Sequence, residues 1–412
     1  MNREPVSALV IASAAAALMA ITMGSRSSFG LFVSPLNTST GLGLATISFA
    51  AALNQLLWGV AQPFVGAAAD RFGAARVIAC GGLALASITA CLPFVDTAPE
   101  LVTVLAALAI AGAAAGSNGL LLGEVSRRVS ATQRGLAVGI VGAGGSAGQL
   151  LLGPSIQGTI SLAGWHTAWF GLALLALVCL PLAMPFRRHR LEAAERAPEA
   201  EGADVGEALT HPMFWCIAGG FFVCGFHVAF LISHMPGVIA LCGLPASVSG
   251  WWIAIVGLCN IIGSIAAGTM IRRGSMRQTL MALYALRAVG VALFLVLPTS
   301  EWMVLAFAAW MGLTYMATLP PTAGLVGKLF GLRRMATLLG VVMMVHQFGA
   351  FLGVWLGGLA VTRHGGYEWI WYADIGLALI AIALHLPIRE AAVARRGERA
   401  PLPAPPLPAT AN

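Results

Sequence analysis

The residues in this sequence that could do chemistry are few, and most stand alone inside long apolar runs. Arg26 is flanked by Gly24, Ser25, Ser27 and Ser28. An arginine so placed can hold a carboxylate through two parallel N–H···O bonds, because its planar guanidinium is a fork of donors that stays charged. The alternative is a side chain that reaches outward to lipid headgroups. His346 and Gln347 lie side by side in another apolar run, where a histidine could hydrogen-bond an acid or titrate near neutral pH and carry protons. Asn54, Gln55, Asn260 and Tyr315 add neutral hydrogen-bonding groups, each of which could equally join two helices. These seven are the candidate binding residues. His227 and His234, seven residues apart and so on one helical face, are further candidates. Arg287 is expected to interact structurally with a neighbouring helix.

What is missing narrows the chemistry further. No aspartate or glutamate falls near the centre of an apolar run; Glu124 is at one end, and Asp374 is expected about 8 Å from another. A site with arginine and histidine but no central acid favours an anion over a cation. No nucleophile–base–acid grouping and no phosphate-binding glycine loop is present, so neither catalysis nor direct ATP use is expected. The seven cysteines show no metal-type spacing, and no metal, cofactor or disulfide is read from them.

The elements that must position these groups follow from composition. Of 412 residues, 58% are apolar and 9% charged, against about 25% charged in an ordinary soluble domain. Lipid requires such an exterior and penalises unpaired charge. The net charge of +7 lies in short clusters between apolar runs, a pattern that sets topology and does not read nucleic acid. Apolar runs delimit twelve spans, at 7–36, 46–69, 77–95, 100–123, 134–160, 165–186, 211–240, 247–271, 278–298, 302–327, 335–362 and 369–388. The first continues from Val6 to Leu36, longer than a signal-peptide core, and is read as a membrane helix. With the N-terminus inside, 20 of the 23 basic residues fall on one side, leaving Arg26, Arg287 and Arg363. One missed span would invert every later loop, so this alternation supports the even count. Residues 188–210 form a long polar interruption between six spans and six, and 391–412 a proline-rich tail expected to be disordered.

Between the second and third spans the chain reads Gly66-Ala-Ala-Ala-Asp70-Arg71-Phe-Gly73-Ala-Ala-Arg76. This resembles the loop signature of the major facilitator superfamily. A decayed copy stands 201 residues later, with Arg272, Gly274 and Arg277 in place of Arg71, Gly73 and Arg76, and Ile271 in place of the aspartate. Such a repeat is expected of two six-helix halves. The resemblance implies an all-α membrane protein with twelve transmembrane helices in two pseudo-symmetric six-helix bundles, 1–187 and 211–390. It also implies that Gly66, Asp70, Arg71, Gly73, Arg76, Arg272 and Arg277 gate one side, and that spans two, five, eight and eleven form the seam between halves. The glycines of the fifth span (Gly142 to Gly158) and eleventh (Gly349, Gly353, Gly357) would allow the close approach such a seam needs.

Within the superfamily, Gly24-Ser-Arg26-Ser-Ser-Phe-Gly30, His346 to Gly358, and Leu319-Pro320-Pro321-Thr322-Ala-Gly324 resemble bacterial members of the monocarboxylate-transporter-like branch. Animal carriers of that branch place an aspartate–arginine pair in the eighth helix. Here that helix offers only Asn260, so proton coupling by such a pair does not carry over. The expectation is a secondary transporter for a small organic anion, working by alternating access in a bacterial inner membrane with both termini cytoplasmic. Protons are a possible second partner, nucleic acid is not a partner, and a monomer is expected. The partial likeness of Gly153-Pro154 to a drug/proton antiporter motif keeps efflux of hydrophobic compounds as the alternative. A membrane sensor that binds without moving its ligand is a third reading.

Overall fold

The computed structural model describes residues 8–187, 204–331 and 335–391; most of the central interruption and nearly all of the tail therefore lie outside the described residues. Among those described, every regular element is a helix. Only a helix closes its own backbone hydrogen bonds within one segment, which lipid demands.

The spans follow the hydropathy closely: Leu44–Phe72 is the second, Ala74–Cys91 the third, Pro212–Leu241 the seventh, Ser247–Arg273 the eighth, Met276–Val296 the ninth, Met335–His364 the eleventh and Glu368–His385 the twelfth. By length and composition eleven runs could cross a membrane, one of them the 51-residue run Leu136–Phe186. That run bends at Gly164, whose φ of 82° is open to glycine and strained for other residues. It crosses twice, as the fifth span (131–163) and the sixth (from 165), which gives twelve. Gly73, with φ 92°, makes the equally abrupt turn between spans two and three. Elsewhere helices start on side-chain caps, as where Ser275 and Ser300 accept from the backbone N–H groups of Gln278 and Met303.

Three spans are broken. The first divides into Ala8–Ser27 and Gly30–Thr40, the fourth into Ala98–Gly116 and Asn118–Arg128, and the tenth into Glu301–Thr314 and Leu319–Phe330. Pro320 and Pro321 explain the last, because neither can donate to the turn before it. Irregular backbone at membrane depth is tolerated where protein or a cavity covers it, so the breaks mark the working interior.

Glycine sets how the spans pack. A Cβ at Gly144 or Gly148 of the fifth span would collide with the backbone of Ala16 or Ala20 in the first, and Gly349 and Gly353 of the eleventh meet Phe222 and Phe226 of the seventh in the same way. Spans one and five, and seven and eleven, are thus equivalent pairs. Between the halves, span five packs on eight and span two on eleven, as expected. Contacts of this seam cluster toward one face: Gly153 meets Gly250 and Ile253, Gly358 meets Ser48, and Gly30 meets Ile232 and Ser233. Toward the arginine-rich face, Gly66, Gly142, Gly268 and Gly340 would each meet open space. The halves are closed together on the side away from the arginines.

Candidate functional site

A cavity of about 60 Å³ lies within the first half, lined among others by Ser25, Arg26, Asn54, Gln55 and Trp58, with Ser233 of span seven closing it from the second half. Arg26 points inward, into this space. Its Nη2 donates to Gln55 Oε1, its guanidinium carbon stands 4.7 Å from the centre of the Trp58 ring, and its buried Nε has no partner. The three residues meet because Gln55 and Trp58 are three apart on one helix and so share a face. Trp58 is itself fixed against Gly112, where a Cβ would strike the ring. No carboxylate lines the cavity. A cation held over an aromatic face beside one neutral amide keeps its charge, and a free donor aimed inward is a place for an anion's oxygen.

The other candidates scatter around this centre. Asn54 lines the cavity, but its amide nitrogen donates to Leu105 O at 2.6 Å, tying span two to span four. Gln347 donates to Gln55 O at 2.6 Å across the seam. It thereby ties the backbone of span two at Gln55 to span eleven of the opposite half. Asn260 donates to Ser146 Oγ at 2.8 Å and accepts from Met316 N at 3.0 Å, so its groups are engaged with spans five and ten. Tyr315, in the break of span ten, is buried and stands outside the cavity lining. His346 is outside the cavity lining: it packs on Phe221, with ring centres 4.6 Å apart, and its Nδ1 bonds Gln347 Oε1 at 3.0 Å.

Asp374, placed by residue count about 8 Å from the end of its span, is 1% exposed, and its Oδ2 lies 2.5 Å from His227 Nδ1, midway along span seven. Counting residues from a helix end measures depth in lipid and says nothing of which neighbour covers the side chain. His234 is also engaged, with Val354 O at 2.8 Å and Tyr367 Oη at 3.3 Å. Arg287 makes the expected contact with a neighbouring helix, as it donates to the carbonyls of Thr314 and Tyr315 at 2.6 and 2.7 Å.

The loop motif lies on the arginine-rich face. Asp70 pairs with Arg127 at 3.2 Å, and Arg127 and Arg128 both reach Glu124. Arg128 also donates to Pro185 O and Phe186 O at 3.2 and 2.9 Å, so the cluster stitches spans two, four and six. Arg71 lies over the Phe72 ring, and Arg76 borders a surface hollow with Gly73 and Arg187. Gly66 has room around it. In the second half Arg277 repeats the part of Arg128, donating to Leu386 O and Ile388 O at 3.3 Å. The side chain of Arg272 lies outside the described residues. Glu390, at the end of span twelve, accepts from Ser275, the Arg277 N–H and Lys328. Burial pushes its carboxyl up, but these donors outweigh burial and hold it below the usual range. The role of Glu124 was hidden in the sequence. Its signal was the Glu-x-x-Arg-Arg spacing, which puts both arginines one turn away.

A multi-pass bundle of twelve helices, sealed on one face and holding a charged cavity, has the architecture of a membrane transporter. The sequence profile of the Major Facilitator Superfamily matches residues 15–354 and 235–411, and the chain belongs to that superfamily. It is 26% identical over 371 residues to the uncharacterized MFS-type transporter YcxA of Bacillus subtilis, covering 85% of this chain and 88% of that one. Against the oxalate:formate antiporter of Oxalobacter formigenes it is 26% identical over 361 residues, 84% of each chain. Monocarboxylate transporter 11 of Mus musculus is 27% identical over 385 residues, 87% of this chain and 82% of that one. Among solved structures, a bacterial homologue of the human lysosomal transporter Spinster, inward-facing and occupied, superposes with a TM-score of 0.70 at 14% identity, over 93% of this chain and 95% of that one. That likeness concerns the fold alone.

Proposed function

We propose that this chain is a secondary transporter that carries a small organic anion, monocarboxylate-like in chemistry, across a bacterial cytoplasmic membrane by alternating access. One observation carries the reading: the guanidinium of Arg26 lines a buried cavity with a free donor and no acid in the lining to cancel its charge. In a low-dielectric interior an uncompensated cation is costly, and a bound carboxylate removes that cost with directed hydrogen bonds. The oxalate, formate and monocarboxylates for which two of the similar transporters are named belong to the same class. A cavity of about 60 Å³ suits a solute of few atoms.

In this reading 1–187 and 211–390 are the two moving bodies, both termini are cytoplasmic, and the arginine-rich face is the cytoplasmic one. The molecule is then inward-facing. Arg26 binds the anion, Gln55 and Gln347 orient it, and the Asp70–Arg127 pair belongs to the gate. Protein reconstituted in liposomes loaded with unlabelled oxalate, formate or lactate should take up the same labelled acid in exchange. Efflux of hydrophobic dye without carboxylate flux would overturn the assignment in favour of drug export, and binding without flux would favour a sensor.

A further inference from the structure

The cavity beside Arg26 has two unlike sides, and binding of an anion's charge uses only one of them. Every lining residue but Ser233 belongs to the first half. Spans one and two supply most of the polar side chains, and Arg26 is the one charged group of the lining among the described residues. Spans three, four and six supply Leu85, Leu105, Leu108, Trp169 and Leu172, with Thr89 their one hydroxyl. These walls are fixed in place. Leu85, Leu105, Trp169 and Leu172 are buried, Trp169 stacks on Phe32 with ring centres 4.0 Å apart, and Trp58 is wedged against Gly112. Two of the polar groups are turned to backbone carbonyls: Thr22 donates to Leu18 O and Gly116 O, and the Asn54 amide to Leu105 O. A solute held by Arg26 therefore meets hydrocarbon on the side of spans three, four and six.

We propose that this apolar side is a subsite for the hydrocarbon tail of the solute, so that the acid carried is a short aliphatic monocarboxylate and the first half alone, through Leu108 and Leu172, sets the tail length. The subsite rests on the anion reading, since without a carboxylate on Arg26 nothing seats a tail. Its size follows from the space. One water-sized atom needs about 10–15 Å³ of it, so the cavity of about 60 Å³ holds about four to six non-hydrogen atoms, carboxylate included. Acetate, propionate and butyrate span that range. Apolar walls then select in two ways. Each methylene buried strengthens binding about fourfold until the space is full. A second carboxylate at the tail end loses its water with no donor to replace it, so a diacid of the same length is rejected.

Calorimetric titration of purified protein with acetate, propionate, butyrate, hexanoate and succinate tests this. In wild type, affinity should rise about fourfold per methylene from acetate to butyrate and fall again at hexanoate. Succinate should bind at least about tenfold more weakly than butyrate. Leu108 is half-buried, so Leu108→Ala opens the wall without hollowing the centre of the bundle, and it should raise the hexanoate-to-butyrate affinity ratio about tenfold or more. Leu172→Ala should do the same, and decides the matter if Leu108→Ala does not fold. Leu174→Ala, on the exposed face of span six, should keep the wild-type ratio. Affinity that is flat from acetate to butyrate, succinate bound as tightly as butyrate, or an unchanged ratio in either folded wall variant would overturn the tail subsite and leave Arg26 as an anion site. Failure of every acid to bind wild-type protein would refute the anion reading itself, and the subsite with it.

Discussion

Replacing Gly30 by alanine should prop open the face that is sealed here. In span seven Pro236 lacks an N–H, so the carbonyl of Ile232, four residues earlier, is freed from the helix ladder. Gly30 of span one packs against that carbonyl across the seam: a Cβ there would lie 2.5 Å from Ile232 O and 2.9 Å from Ser233 O. Both are backbone atoms that cannot swing away, so one methyl group forces the two halves apart. Overpacking of this kind costs about 1–3 kcal/mol, charged only to the state in which the seam is closed. Such a bias shifts a two-state equilibrium by about 5- to 150-fold. Spin labels on Thr38→Cys and on Cys242, both exposed on the sealed face, with the other cysteines replaced by alanine, would report the separation by pulsed electron resonance. Gly30→Ala should populate a longer distance. The control is Gly142→Ala, which meets open space and should leave the distribution unchanged. An identical distribution in folded Gly30→Ala would refute the view that these contacts seal one side.

Four further outcomes follow. Asp70→Asn should change thermal stability little, because both partners of its ion pair with Arg127 are more than half exposed and such pairs contribute about 0–1 kcal/mol; solute exchange should nonetheless slow several-fold. Arg287→Met strands the Thr314 and Tyr315 carbonyls in a dry interior, and losing a buried charged partner costs about 3–5 kcal/mol, so detergent-stable yield should collapse while Arg287→Lys recovers part of it. Glu390→Gln should flatten the acid limb of stability. A carboxyl held below its ordinary value stabilises the fold above that value and loses the contribution as pH falls through the lowered one, so a melting series below about pH 4.5 separates the two proteins. Arg26→Lys keeps the charge but not the fork, and should bind carboxylates more weakly than wild type yet more tightly than Arg26→Ala.

The spans were legible because hydropathy and the arginine alternation are independent signals that agree, and because a lipid-facing helix has few sequence options. The boundary read between 134–160 and 165–186 falls at Gly164, where a glycine with positive φ makes the turn and no polar loop is needed. The break in span ten has a signal in Pro320 and Pro321, which a reading of hydropathy alone passed over in taking 302–327 as one span. That in span four, at Ser117, carried no comparable signal. At the site, Arg26 stood out because charge in an apolar run is rare, and Gln55 with it. Trp58 did not, since a tryptophan in a membrane helix is unexceptional until the arginine above it is seen. The His227–Asp374 bond joins residues 147 apart in the chain. Each looked ordinary or peripheral alone, and only the packing of span twelve on span seven brings them together.

The most direct measurement of the central claim is carboxylate affinity in wild type and Arg26→Ala, by calorimetric titration of purified protein with oxalate, formate and lactate. Hydrogen bonds to a charged group contribute about 1.5–3 kcal/mol, so loss of the guanidinium should weaken binding of the preferred acid by about 10- to 150-fold, with uncharged analogues unaffected. Equal affinity of the two proteins for every acid would contradict an anion site built on Arg26.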